Sequence, residues 1–166
     1  MSEQEWIGWH FLPADGLLSH GDGRKPEIGV PLRVEGDIEP GGRGLHASRR
    51  AIDTLAYAPG PIACRVVLRD GIIDARGVSV ARERTTLAMA DATNVLREFA
   101  IRCAESVLHL LPDNVAELYR EAFALKRSWL AGEASLAQLA TAWDAARSAA
   151  WDAAWDAARS AAWDAA

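Results

Sequence analysis

Histidines at 10 and 46, a glutamate at 83, and the run Gly41-Gly42-Arg43-Gly44-Leu45-His46-Ala47-Ser48 followed by Arg49 and Arg50 are the residues best suited to chemistry in this chain. Glycine opens backbone conformations closed to other residues and lets main-chain amides approach a ligand. A loop presenting Gly44, the Ser48 hydroxyl, the His46 imidazole and the guanidinium groups of Arg43, Arg49 and Arg50 would therefore suit a phosphate-like anion. If the fold joins them, His10 and His46 would supply the general acid and general base that metal-free phosphodiester cleavage requires. Glu83, inside Arg82-Glu83-Arg84-Thr85, reads either as a salt-bridged strand end or as a carboxylate that orients a ribose hydroxyl or takes a proton. Trp9 and Tyr57 offer rings for stacking on a base, or for ordinary packing. His20 lies in a loop and His109 near a helix end, where solvated or dipole-favoured roles suffice. No nucleophile triad, metal-ligand cluster or complete phosphate loop is present, so neither a metal nor a cofactor is expected.

The elements that must position these residues follow from period and punctuation. Trp6 to Leu12 reads as a first strand closed by Pro13-Ala14-Asp15-Gly16. Ile28 to Val34 is extended but broken by Pro31, which suits an edge strand or bulge. Ser48 can cap a short helix with Ala51, Ile52, Leu55 and Ala56 on one face. Ile62 to Leu68 is the clearest strand; Arg69-Asp70-Gly71 turns it, and Ile72 to Ala75 and Gly77 to Ala81 continue in extended form. From Leu87 through Ala90, Asn94, Leu96, Phe99, Cys103, Val107 and Leu111 the spacing is helical, ending at Pro112. Asn114 with Glu117 resembles a capping box for a helix that Gly132 stops, and Ser135 with Gln138 signals the next one. The expected fold is α+β: a small antiparallel or mixed sheet with a short helix, then two to three helices and a long Ala-rich C-terminal helix. The expected divisions are 1–84 as the ligand-pocket unit, 85–134 as a helical layer packed on it, and 135–166 as the repeat-containing helix.

The formal net charge of −5 argues against wholesale binding of long nucleic acid, while leaving room for a local basic pocket. The only lysines are Lys25 and Lys126, so basic charge is almost entirely arginine. Cys64 and Cys103 sit in apolar surroundings and read as buried free thiols in a reducing cytosol rather than a disulfide framework. A polar, acidic start and the lack of an apolar run near bilayer length lead to an expectation of no signal peptide, no membrane partner and a cytoplasmic location.

Residues 143–154 and 155–166 are identical twelve-residue units, WDAARSAAWDAA. Alanine favours helix, and Asp144 to Arg147 and Asp156 to Arg159 are spaced for i,i+3 pairs. Trp143, Trp151, Trp155 and Trp163 wind around such a helix. They are candidates for oligomerisation, against the alternative of an inert, repeat-lengthened helix.

The aromatic first strand, the Gly-Leu-His-Ala segment at 44–47 and the repetitive tail together resemble a family of small, functionally uncharacterised proteins of phages and bacteria. Residues 42–68, GRGLHASRRAIDTLAYAPGPIACRVVL, are also similar to part of ADP-ribosyltransferase-like domains, which implies matching roles for His10, Tyr57 and Glu83 and a pocket for a nucleotide or ADP-ribose. In a phage context the resemblance implies counter-defence, with the protein binding and sequestering a cyclic nucleotide or ADP-ribose-derived immune signal. The rival expectations are an enzyme acting through the same pocket, either a metal-independent phosphodiesterase or a transferase, and a structural protein acting through its Trp-Asp-Ala-Ala helix.

Overall fold

The computed structural model describes residues 5–19, 22–75 and 77–164, with side chains in the last helix described as far as Arg159. His20 and the side chain of Trp163 lie outside the described residues. The chain divides into two compact units, one running to Thr93 and one from Asn94 onward.

In the first unit, β1 (Trp6–Leu12) lies at one edge of a sheet and pairs antiparallel with the inner strand β4 (Ile62–Arg69), in register from Trp6 opposite Leu68 to Leu12 opposite Ile62. Completing its order β1-β4-β7-β2 are β7 (Glu83–Asp91) and β2 (Pro31–Arg33), and Pro31 begins the edge strand. A second antiparallel sheet has the order β3-β6-β5, from Leu45–Ala47, Val78–Ala81 and Ile73–Ala75. Ser48, just past β3, exchanges backbone hydrogen bonds of 2.7 and 2.9 Å with Trp9 and so ties the two sheets together. Asp70 and Gly71, at φ 60° and 65°, turn the chain out of β4. The core between the sheets joins Trp6, Leu12, Cys64, Val66 and Leu68 of the larger sheet to Leu45, Ala47 and Ala81 of the smaller.

The short helix α1 (Ala51–Leu55) forms where expected, but its cap is not Ser48. Arg50 occupies the cap position without a side-chain bond, while Ser48 is buried at 1% exposure beside β1. The larger correction concerns residues 83–91, where the apolar spacing from Leu87 onward predicts a helix and a strand stands. A bulge at Leu87 explains the difference: Val66 faces Thr86 while the next residue back, Arg65, faces Ala88, so the period of two breaks phase there. The helix α2 (Thr93–Glu105) starts only after Asp91 Oδ1 accepts the Thr93 amide at 2.7 Å.

In the second unit a 3-10 turn at Leu108–Leu110 separates α2 from α3 (Asp113–Leu130), and α4 runs from Leu136 to Asp164. Asn114 does not cap α3, which begins at Asp113 directly after Pro112 with no side-chain cap bond. Gly132, at φ 80°, follows the end of α3. Ser135 and Gln138 form a reciprocal box, the Ser135 amide donating to Gln138 Oε1 at 2.9 Å and the Gln138 amide to Ser135 Oγ at 3.2 Å. Ile101, Leu108, Ala116 and Phe123 form the core of this unit, with Tyr119 and Trp143 packed against it. Two small antiparallel sheets with four α-helices make this an α+β protein. No helix among the described residues is long and apolar enough to cross a membrane.

Candidate functional site

Strand alternation decides which of the expected residues meet. Trp6, His10 and Leu12 of β1 share a face with Leu68, Cys64 and Ile62 of β4, and Arg84 of β7, opposite Leu68, points to the same side. That is the side covered by the second sheet, and Arg84 is only 2% exposed there. Its Nη1 donates to the His46 carbonyl oxygen at 2.7 Å, while its Nε is buried with no hydrogen-bond partner among the described residues. A buried guanidinium with a vacant donor is costly, on the order of 1–3 kcal/mol for the unmet bond alone. Burial pushes Arg84 down to about 10, partly offset by the charge of Asp22. The Asp22 carboxylate is itself held by Arg24 through bonds of 2.6 and 2.7 Å, and Arg24 Nη1 donates to the Arg33 carbonyl at 2.8 Å, one residue from Leu32, the β2 partner of Arg84.

His10 shares this environment. Burial first, then the charges of Arg84 and His46, hold its pKa well below the usual histidine value, so the ring is neutral near pH 7. His46 lies close enough to act on it, yet His46 Nε2 accepts the Gly41 amide at 3.1 Å, an acceptor role that requires an unprotonated nitrogen. Burial raises the Cys64 thiol to about 11, which leaves it protonated and a poor nucleophile. The described residues include no group of side chains able to hold a metal ion.

Of the remaining expected ligands, Gly44, Arg49, Arg50 and Trp9 are engaged elsewhere, while Arg43 and Tyr57 are exposed. Arg43 is exposed, with its guanidinium 3.3 Å from the position a Cβ on Gly36 would take. Gly44, at φ 136°, is a packing requirement: an added Cβ would stand 2.2 Å from Val80 Cγ2. Arg49 lies over the Trp6 ring at 5.2 Å and pairs with Asp74 at 3.6 Å, and Arg50 grips Asp53 at 2.6 and 2.9 Å. Trp9 carries the Arg65 guanidinium at 4.9 Å, and Tyr57 is 68% exposed. Glu83 faces the opposite side of the sheet from His10, in a transverse row of alternating charge. Arg33 reaches it at 2.6 Å, Arg69 at 3.6 Å, and Arg69 continues to Glu5 at 2.6 Å. The salt-bridged strand end is thus the arrangement found, with cross-strand partners rather than the flanking Arg82 and Arg84. His10, Tyr57 and Glu83 do not form one site.

Arg84 is the residue that sequence reading passes over. Its signal is present in Arg82-Glu83-Arg84-Thr85-Thr86, because a strand places Arg84 and Thr86 on one face and Glu83 and Thr85 on the other. Comparison with protein-family models, curated proteins and solved structures found no match to this chain.

Proposed function

We propose that the first unit binds and sequesters a nucleotide-type small molecule, a cyclic nucleotide or an ADP-ribose-derived immune signal, by taking a phosphate group onto Arg84 beside His10 and His46. The observation that carries this reading is the buried Arg84 with its unmet Nε donor and no carboxylate paired to it among the described residues. A phosphate would supply the missing acceptor and the missing charge, which Asp22, already held by Arg24, supplies only in part. The state of the imidazoles favours capture over cleavage: His46 spends Nε2 on the Gly41 amide, and Glu83 is tied into its ion row on the other face. The phage resemblance of the sequence suits such capture to the bacterial cytoplasm, as interference with a nucleotide-signalled defence.

The test is to incubate the protein with cyclic mononucleotides, cyclic dinucleotides and ADP-ribose derivatives, remove unbound compound, heat-denature the protein and analyse what is released. Recovery of an unchanged compound supports capture. Conversion of a compound supports the enzyme reading, and retention of none refutes capture for that panel.

A further inference from the structure

The tryptophans of the repeat fall into two structural classes. Trp143 packs inside the second unit, its ring centroid 6.0 Å from Tyr119 and 5.5 Å from Phe123, so it is not available for assembly. Leu139, Trp143, Ala146 and Ala150 mark the less exposed stripe of α4, with Leu139 and Ala146 buried. Measured around the helix from Ala146, Trp151 and Trp155 lie about 140° and 180° away. They are 64% and 56% exposed, and their rings meet edge to face at 6.4 Å.

On the same outer line Ser148 lies three residues before Trp151 and Ala158 three residues after Trp155, both small and exposed. Such spacing forms a straight seam along one side of a helix, and small side chains flanking the two indoles let another helix approach closely.

We infer that this outer face of α4 docks against the same face of a second copy of the chain, antiparallel, with Trp151 and Trp155 at the centre. Charge complementarity chooses the occupant. With Trp155 on the two-fold axis, Asp152 of one helix comes within one residue of the level of Arg159 on the other, where it joins the exposed pair that Arg159 makes with its own Asp156 at 3.5 Å, and the symmetry repeats the arrangement. Size sets the strength. A Trp buries on the order of 150–250 Å² when fully covered, so four partly exposed indoles and their small neighbours fall short of the roughly 1,200 Å² of a standard stable interface. The dimer is therefore reversible, with a dissociation constant in the micromolar range or weaker.

Sedimentation velocity across a series from micromolar to near-millimolar protein tests this. The wild type should shift from monomer to dimer, and Trp151→Ala with Trp155→Ala should weaken dimerisation at least about tenfold. Because neither ring packs in the core of the unit, circular dichroism of that variant should match the wild type. Asp152→Arg should weaken the dimer, and adding Arg159→Asp should restore it. A wild type that stays monomeric, or a dimer indifferent to the tryptophans or to the charge reversal, overturns the proposal.

Discussion

Arg84 Nη1 donates to the main-chain carbonyl of His46 at 2.7 Å, so the guanidinium buried on one sheet is anchored to the backbone of the other. Replacing it with methionine removes an uncompensated buried charge and also strips the His46 carbonyl of a donor. The first effect is neutral or stabilising by about 1–4 kcal/mol and the second costs about 1–3 kcal/mol. Arg84→Met should therefore leave the urea midpoint close to wild type while abolishing retention of any phosphate-bearing ligand. A purely structural arginine would show the reverse, a large drop in midpoint.

His10 makes stability depend on pH. Its folded pKa lies below the unfolded value of about 6.5, so below that pH the unfolded chain binds a proton that the folded chain refuses. Its contribution is present at neutral pH and is lost as pH falls from about 6.5 through the depressed folded pKa. Denaturation midpoints measured at successive pH values should decline over this window, and His10→Gln should flatten the decline. A phosphate bound at Arg84 would oppose the depression, so ligand should also shift the His10 ring titration upward by NMR.

Two glycines of the same loop should behave differently. Gly44→Ala sets a Cβ against Val80 and Ile38 at φ 136°, and should cost more than about 3 kcal/mol or prevent folding. Gly41→Ala meets nothing within 4 Å, so only the strain of φ 79° remains, about 1 kcal/mol. Chemical denaturation of the two variants checks the contrast.

Trp143→Ala empties an aromatic cluster and should destabilise the helical unit by about 3–5 kcal/mol, whereas Trp151→Ala should fall within about 0.5 kcal/mol. Thermal melts of single variants at a concentration that keeps the chain monomeric separate the two.

How far the sequence reveals this molecule depends on how local each signal is. The strand from Trp6 to Leu12 and the Ser135–Gln138 box are legible because run, turn and cap all lie within a few residues. The strand over 83–91 is not, since a single bulged residue at Leu87 turns a period of two into a spacing that mimics a helix. The glycine loop draws attention for chemistry, yet Gly44 serves close packing against Val80 and the Gly41 amide serves His46. Arg49 and Arg50, expected to hold a ligand, have carboxylates or a ring as partners, and for Arg49 these partners lie far off in sequence. Arg84 becomes conspicuous only once the sheet register shows it buried. Identical repeats likewise give Trp143 and Trp155 the same local sequence, and only packing in the helical unit separates their roles.

Arg84 is proposed to hold the phosphate of a captured small molecule. Equilibrium dialysis of the wild-type protein and of Arg84→Met against cyclic nucleotides, cyclic dinucleotides and ADP-ribose, followed by mass spectrometry of both chambers, tests it most directly. The wild type should concentrate at least one of these compounds unchanged, and the variant should concentrate none. Equal retention by both proteins, or no retention by the wild type, would contradict it.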